Sequence, residues 1–332
     1  MNFIDLHCDT LSKVLGDSRP GILEQNDKAV DFTGMRQSGC MLQVFASFLN
    51  LGCYPEAEKE ELAWQDALAM NDLFAREAAR SGDISIVTSA DTLAKARQDG
   101  NCCALLSVEE GGILNNRPER LDTLYERGIR LITLTWNYEN CLGFPNSTDS
   151  RMMTRGLKPF GREIVRSMEE KGMLVDVSHL SDGGFYDVAE LIQGPFLASH
   201  SNSRQLCPHP RNLTDPMLRI LGDHGGVAGL NFCPRFLQPD QDFSRIDDMV
   251  RHIRHMVNTA GLEAVALGSD LDGITGALEI GSIRQIHLLE QALRKSGFSE
   301  DALEKIFWKN AYRLLGQTLK PSSDTARNDP LL

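Results

Sequence analysis

Short apolar runs alternate with amphipathic stretches along nearly the whole chain. The runs at 3–7, 40–48, 104–108, 129–135, 174–178, 196–199, 226–232 and 264–268 predict eight buried β-strands. Helical periodicity fills 56–81, 117–127, 161–171, 182–192, 215–223, 244–260 and 281–296. Eight strands separated by helices are what a closed parallel barrel requires, so the chain is read as α/β, a (β/α)8 TIM barrel with extra flanking helices in a single domain. Residues 84–87 and 91–96 add a short strand and helix before the third barrel strand. Helical patterns at 299–307 and 310–315 follow the eighth strand, where they can close the bottom or flank of the barrel. The barrel domain is expected over 1–318. Residues 319–332, with Pro, Ser, Asp and Asn, are expected to be a frayed tail. No linker and no internal repeat divides the chain.

Four of the predicted strands end in side chains that bind metals. The first runs into His7-x-Asp9, and residues two apart on a strand share a face, so one cation can meet an imidazole and a carboxylate together. Cys8 between them points the other way and is read as packing. The third strand ends at Glu109-Glu110-Gly111-Gly112, where a carboxylate at the tip can bridge two cations. The residues alone do not separate Glu109 from Glu110. The fifth and sixth strands end in His179 and His200, on consecutive βα units and therefore on the same rim.

Composition excludes several classes. With 332 residues, a net charge of −12 and pI near 5.2, the chain shows no basic face for nucleic acid. The start lacks a basic and apolar leader, and no run is long enough to span a membrane, which predicts a cytoplasmic protein without a membrane partner. Its eight cysteines show no CxxC spacing and are read mostly as small buried apolar residues.

Taken in order, Ile4-Asp5-Leu6-His7-Cys8-Asp9-Thr10, Glu110-Gly111-Gly112, Leu131 to Thr135, Asp176-Val177-Ser178-His179, Ser199-His200-Ser201, Arg211-Asn212 and Gly268-Ser269-Asp270-Leu271-Asp272-Gly273 resemble the membrane (renal) dipeptidase family. That family is a branch of the amidohydrolase-like (β/α)8 enzymes, and the resemblance spans roughly residues 3 to 317. It implies a binuclear zinc site, with two Zn2+ per chain, that hydrolyses small dipeptides, L,L and some L,D, and it implies a homodimer. Position by position it implies that His7 and Asp9 hold one zinc, His179 and His200 the other, and Glu110 bridges them. It further implies that Arg211 grips the substrate carboxylate, that Asp270 handles the proton, and that Gly273 lies near the substrate's amino end. Two cations about 3.5 to 4 Å apart can share a hydroxide that attacks the scissile carbonyl. Asp270 would accept the proton and pass it to the leaving amine.

The chain departs from the family at Trp136, which stands where animal members carry a substrate-binding histidine. An indole donates one hydrogen bond or stacks, but cannot act as an imidazole. Asn137 and Asn140 beside it could supply polar contacts, and Phe236 lies near a family tyrosine. Trp136 keeps open a second reading, a hydrolase of another small amide, lactam or ester. A third is a metal-binding barrel without turnover.

Overall fold

A computed structural model describes residues 1–322 of the chain. Eight parallel strands close on themselves: β1 (Phe3–Cys8), β2 (Cys40–Phe48), β3 (Cys102–Glu109), β4 (Ile129–Thr133), β5 (Leu174–Asp176), β6 (Leu197–Ala198), β7 (Val227–Leu230) and β8 (Val265–Leu267). Each pairs with its sequence neighbour, β8 pairs with β1, and β2 pairs directly with β3 from Leu42↔Cys103 to Phe48↔Glu109, so the eight strands close into a barrel. The expected short strand is present at Ile84–Ile86. It extends the wall by pairing with the start of β3.

The inside of the barrel is identified by one apolar cluster to which all eight strands contribute. Ile4, Leu6, Leu42, Val44, Cys103, Leu105, Leu131, Leu174, Leu197, Val227 and Ala266 fill it from β1 to β8. The C-terminal helix Asn310–Thr318 seals its lower end with Ala311, Leu314 and Leu315, as the position of that helical pattern after the last strand suggests. A second and larger cluster lies between the outer faces of the strands and the surrounding helices, including the 23-residue helix Lys59–Ser81, which buries Phe74 against Phe45. This is the layering of a barrel with a packed interior rather than a pore.

Because strand side chains alternate, the cluster sets which residues above it face the lumen. From Cys103 and Leu105 the parity continues to Ser107 and Glu109; from Leu131 to Thr133; from Leu174 to Asp176; from Leu197 to Ser199. In β1 the alternation is broken. Asp5 sits opposite Gln43 and Cys8 opposite Phe45, three residues against two, and this bulge turns His7 inward and sends Cys8 to the outer cluster.

Several ends differ from the sequence reading by a turn or less, and the helix expected over 281–296 is interrupted, with a 3-10 turn at Ile283–Gln285 before His287–Lys295. Part of the segment expected to fray is anchored. Leu319 is buried and the Lys320 carbonyl accepts from Ala90 N at 3.1 Å, while 323–332 lie outside the described residues. Among the described residues no helix is long and apolar enough to cross a membrane.

Candidate metal and substrate site

Above the apolar filling, the upper rim gathers His7 and Asp9 from the end of β1, Glu109 from β3, His179 after β5, His200 after β6 and Asp270 after β8. Glu109 stands at the centre. Its Oε1 lies 3.0 Å from His179 Nε2 and 3.4 Å from His200 Nε2, and its Oε2 lies 3.3 Å from His7 Nε2. His7 Nε2 is also 3.4 Å from Asp9 Oδ1. The ligand atoms of His7, Glu109 and His200 form one compact group, and those of His7, Asp9 and Asp270 form another that shares His7.

The glutamate among the three imidazoles is Glu109, and Glu110, expected in that place, lies outside the cluster. Strand parity gives the reason: Glu109 continues the lumen-facing series Cys103, Leu105, Ser107, and Glu110 points outward. Glu110 has φ of 121°, a conformation that turns the chain off the strand end. Its carboxylate accepts hydrogen bonds from Gly112 N at 2.7 Å, Trp136 N at 3.1 Å and the Asn140 side chain. It is the anchor of the 136–142 loop, and Gly112 makes the anchor possible, because a Cβ there would lie 2.5 Å from Glu110 Oε1.

Charge in the cluster is arranged around this carboxylate. Burial alone would lower the His7 pKa, but the Glu109 charge and neighbouring Asp9 raise it well above the ordinary imidazole value. Burial would lift Glu109, yet the His7 charge and the contacts from His179 and His200 hold it well below the carboxylate range. His179 is pushed down to about 4 by burial and by Arg211, and His200 well down by burial and His7. Burial lifts Asp9 to about 6 and Asp270 to about 7.

The donor set fits a divalent cation. His7 Nε2 and Asp9 Oδ1 are buried and close to each other, yet neither makes a well-directed hydrogen bond among the described residues, a costly state that a coordinated ion would relieve. His179 Nε2 and His200 Nε2 lie 3.1 Å apart. Two nitrogens on one tetrahedral zinc would be separated by about 3.3 Å. Imidazole with carboxylate is the ligand chemistry of zinc and similar transition ions.

The predicted substrate residues surround this centre. Arg211 is 5% exposed; its guanidinium donates to Ser201 Oγ and the His200 carbonyl, each at 3.2 Å, stacks 5.4 Å from the Phe236 ring, and keeps a buried Nε without a partner among the described residues. Asp270 Oδ2 accepts from Asn231 Nδ2 at 2.9 Å. Gly273 packs so closely that a Cβ would lie 2.2 Å from Asp9 Oδ2 and 2.3 Å from Asp270 Oδ1. Trp136 stands on the same rim after β4, 4.9 Å from the Phe48 ring and 6.2 Å from that of His179.

Residues 1–328 match the membrane dipeptidase family, peptidase family M19. The chain belongs to this family. Family relatives include an uncharacterized protein in the pqqA 5′ region of Klebsiella pneumoniae, 34% identical over 264 residues, which are 77% of this chain and 95% of that one. An uncharacterized dipeptidase of Schizosaccharomyces pombe is 33% identical over 256 residues, 74% of this chain but 61% of the longer yeast protein. The fold superposes with a TM-score of 0.87 and 27% identity on a metallopeptidase from Rhodobacter sphaeroides liganded with a phosphinate mimic of the dipeptide L-Ala-D-Ala, covering 96% of this chain and 99% of that one. It matches a dipeptidase of peptidase family M19 with a TM-score of 0.86 and 26% identity over the same shares. The M19 dipeptidases share the (β/α)8 barrel described here.

Beyond the predicted set, the structure adds Ser199, whose Oγ lies 2.6 Å from His200 Nδ1, and Asn231, while Asn137, expected only as a polar contact beside Trp136, brings its Oδ1 to 3.0 Å from His179 Nδ1. Ser199 and Asn231 continue the lumen-facing series of their strands, so parity was the signal for them. Asn137 lies in a loop, where no periodicity marks it.

Proposed function

We propose that the protein hydrolyses dipeptides on a divalent metal centre held by His7, Asp9, Glu109, His179 and His200, with Glu109 between two ions. The observation that carries this reading is the convergence of three imidazole nitrogens on the two oxygens of one buried glutamate. Zinc is the ion best matched to these donors, and when bound such ions lower the pKa of water towards neutrality and polarise a carbonyl. The remaining chemistry belongs to the chain. Arg211, cationic and with a free Nε, receives the carboxylate of the substrate's C-terminal residue as a planar fork. Asp270 faces the same space beside His7 and Asp9, where a carboxylate can take up a proton and return it to a leaving amine. Relatives named as dipeptidases, and one solved with a dipeptide mimic, support the same substrate class.

Trp136 favours keeping one alternative, another small amide, lactam or ester on the same centre. A panel of dipeptides varied in side chain and chirality at both positions, assayed beside such compounds with zinc added, separates the two. Release of amino acids from dipeptides, with tripeptides slower, is expected; turnover confined to the other compounds would overturn the peptidase reading. Asp270→Asn should retain metal while cutting turnover by about 10²- to 10⁴-fold.

A further inference from the structure

Asp176 is a carboxylate at 0% exposure on the lumen side of β5, between the apolar filling and the rim cluster. It accepts four hydrogen bonds: at Oδ1 from Ser178 N (2.9 Å) and Ser199 N (2.8 Å), and at Oδ2 from Thr133 Oγ1 and Ser199 Oγ (2.6 Å each). A carboxylate held this deep is expensive unless its charge is used. The donors also fix a direction. Ser199 has one hydroxyl proton, and it is committed to Asp176 Oδ2. Ser199 Oγ itself lies 2.6 Å from His200 Nδ1, so the contact can be satisfied only if Nδ1 carries the hydrogen and donates to Ser199 Oγ. His200 Nε2 is then left with its lone pair, facing Glu109 and His179. His179 has a parallel arrangement with a neutral acceptor, Asn137 Oδ1.

We propose that Asp176 and Ser199 form a relay beneath the barrel rim that positions His200 as a metal ligand: Asp176 orients the Ser199 hydroxyl, and Ser199 fixes the His200 tautomer with Nε2 free for a cation. The proposal rests on the metal centre inferred above. Both are positioning residues, and neither touches substrate. Outer partners of ligating histidines typically contribute about 10- to 100-fold to metal affinity.

Thr133 supplies a matched control, because among the described residues it donates to the same Asp176 oxygen at the same distance but makes no hydrogen bond to His200. The experiment is zinc affinity of the full chain, measured at fixed pH by competition with a chelator, for the unmodified protein, Ser199→Ala, Thr133→Val and Asp176→Asn. Thermal unfolding of each metal-free protein is recorded in parallel. Ser199→Ala and Asp176→Asn should bind zinc about 10- to 100-fold more weakly. Thr133→Val should stay within about threefold of the unmodified protein, even where its unfolding midpoint drops. Affinity unchanged in Ser199→Ala, or lost equally in Thr133→Val, would overturn the relay. Should Ser199→Ala not fold, unchanged affinity in Asp176→Asn overturns it instead. If the unmodified protein binds no zinc, the metal centre itself fails, a result distinct from failure of the relay.

Discussion

His179 and His200 bring their Nε2 atoms to within 3.1 Å of each other, with Glu109 Oε1 beside both. Their Nδ1 atoms are held by Asn137 and Ser199, so neither ring can turn away without losing a hydrogen bond. Two nitrogen lone pairs facing one another repel unless a cation lies between them. The rim should therefore be less stable without metal than with it. Bound metal at 100 times its Kd contributes about 2.7 kcal/mol to stability. Thermal unfolding with saturating zinc and with excess chelator should give a higher midpoint for the loaded protein. Equal midpoints would mean that these histidines do not meet a cation.

Adjacent glutamates on opposite faces of one strand end give the sharpest mutational contrast. Glu109→Gln removes the charge at the centre of the cluster and should strip metal and lower turnover by at least about 10²-fold, the scale of losing a group central to the chemistry. Glu110→Gln should keep metal. An amide there would set its NH2 against one of the donors Gly112 N, Asn140 Nδ2 or Trp136 N, and an unmade buried hydrogen bond costs about 1–3 kcal/mol. Metal content by elemental analysis and unfolding midpoints of the two variants check both halves. Metal lost from Glu110→Gln but retained in Glu109→Gln would reverse the assignment.

The barrel was legible because its strands are buried on both faces and read as short apolar runs between helical periods. His7, Asp9, His179, His200, Arg211 and Asp270 stand out because a polar residue at the end of an apolar run is conspicuous. Choosing between Glu109 and Glu110 was possible in principle by counting alternation from Cys103 and Leu105. The motif Glu110-Gly111-Gly112 points to Glu110, which lies outside the imidazole cluster, with Gly112 N donating to its carboxylate. The bulge in β1 was not legible: it depends on how Asp5 and Cys8 register against β2. Positive φ at His179 (68°) and Asp270 (60°) is set by the loops that leave the strands; His and Asp tolerate it better than most residues, but residue type alone does not fix where it occurs.

The pH dependence follows from the same cluster. Without metal, His7 holds its proton above the ordinary imidazole range, while Asp9 titrates near 6 and Asp270 near 7. A cation needs His7 Nε2 and the Asp9 carboxylate bare, so binding at pH 7 must release protons and strengthen as pH rises. Stability of the metal-free fold runs the other way above pH 6.5. The lowered pKa values of His179 and His200 add stability only as pH rises towards 6.5 and are flat beyond it. The raised values of Asp270 and Glu110, both near 7, and of His7 continue to withdraw stability as pH climbs through them. Calorimetric titration with zinc in buffers of different ionisation enthalpy should report release of at least about one proton at pH 7. The metal-free unfolding midpoint should fall between pH 6.5 and 8; a rise over that window, or binding without proton release, contradicts the charge arrangement.

Gly273 ties the substrate side of the site to the metal side. Asp9 and Asp270 come from opposite ends of the sequence, and both carboxylates close over the Gly273 Cα, where a methyl group would lie 2.2 Å from Asp9 Oδ2 and 2.3 Å from Asp270 Oδ1. Asp270 is held through its other oxygen by Asn231, while the Asp9 backbone is tied by Ser12 Oγ, which donates to its carbonyl at 2.8 Å. Gly273→Ala must therefore shift at least one carboxylate by several tenths of an ångström, with an overpacking cost of about 1–3 kcal/mol. A displacement of that size at a reacting group is enough to cost about 10²-fold in rate. Because His7, Glu109, His179 and His200 are untouched, most of the metal should remain. Turnover at saturating substrate, measured beside metal content, is expected to fall while zinc stays bound; a Gly273→Ala protein with unchanged kcat would show that neither carboxylate needs the position found here.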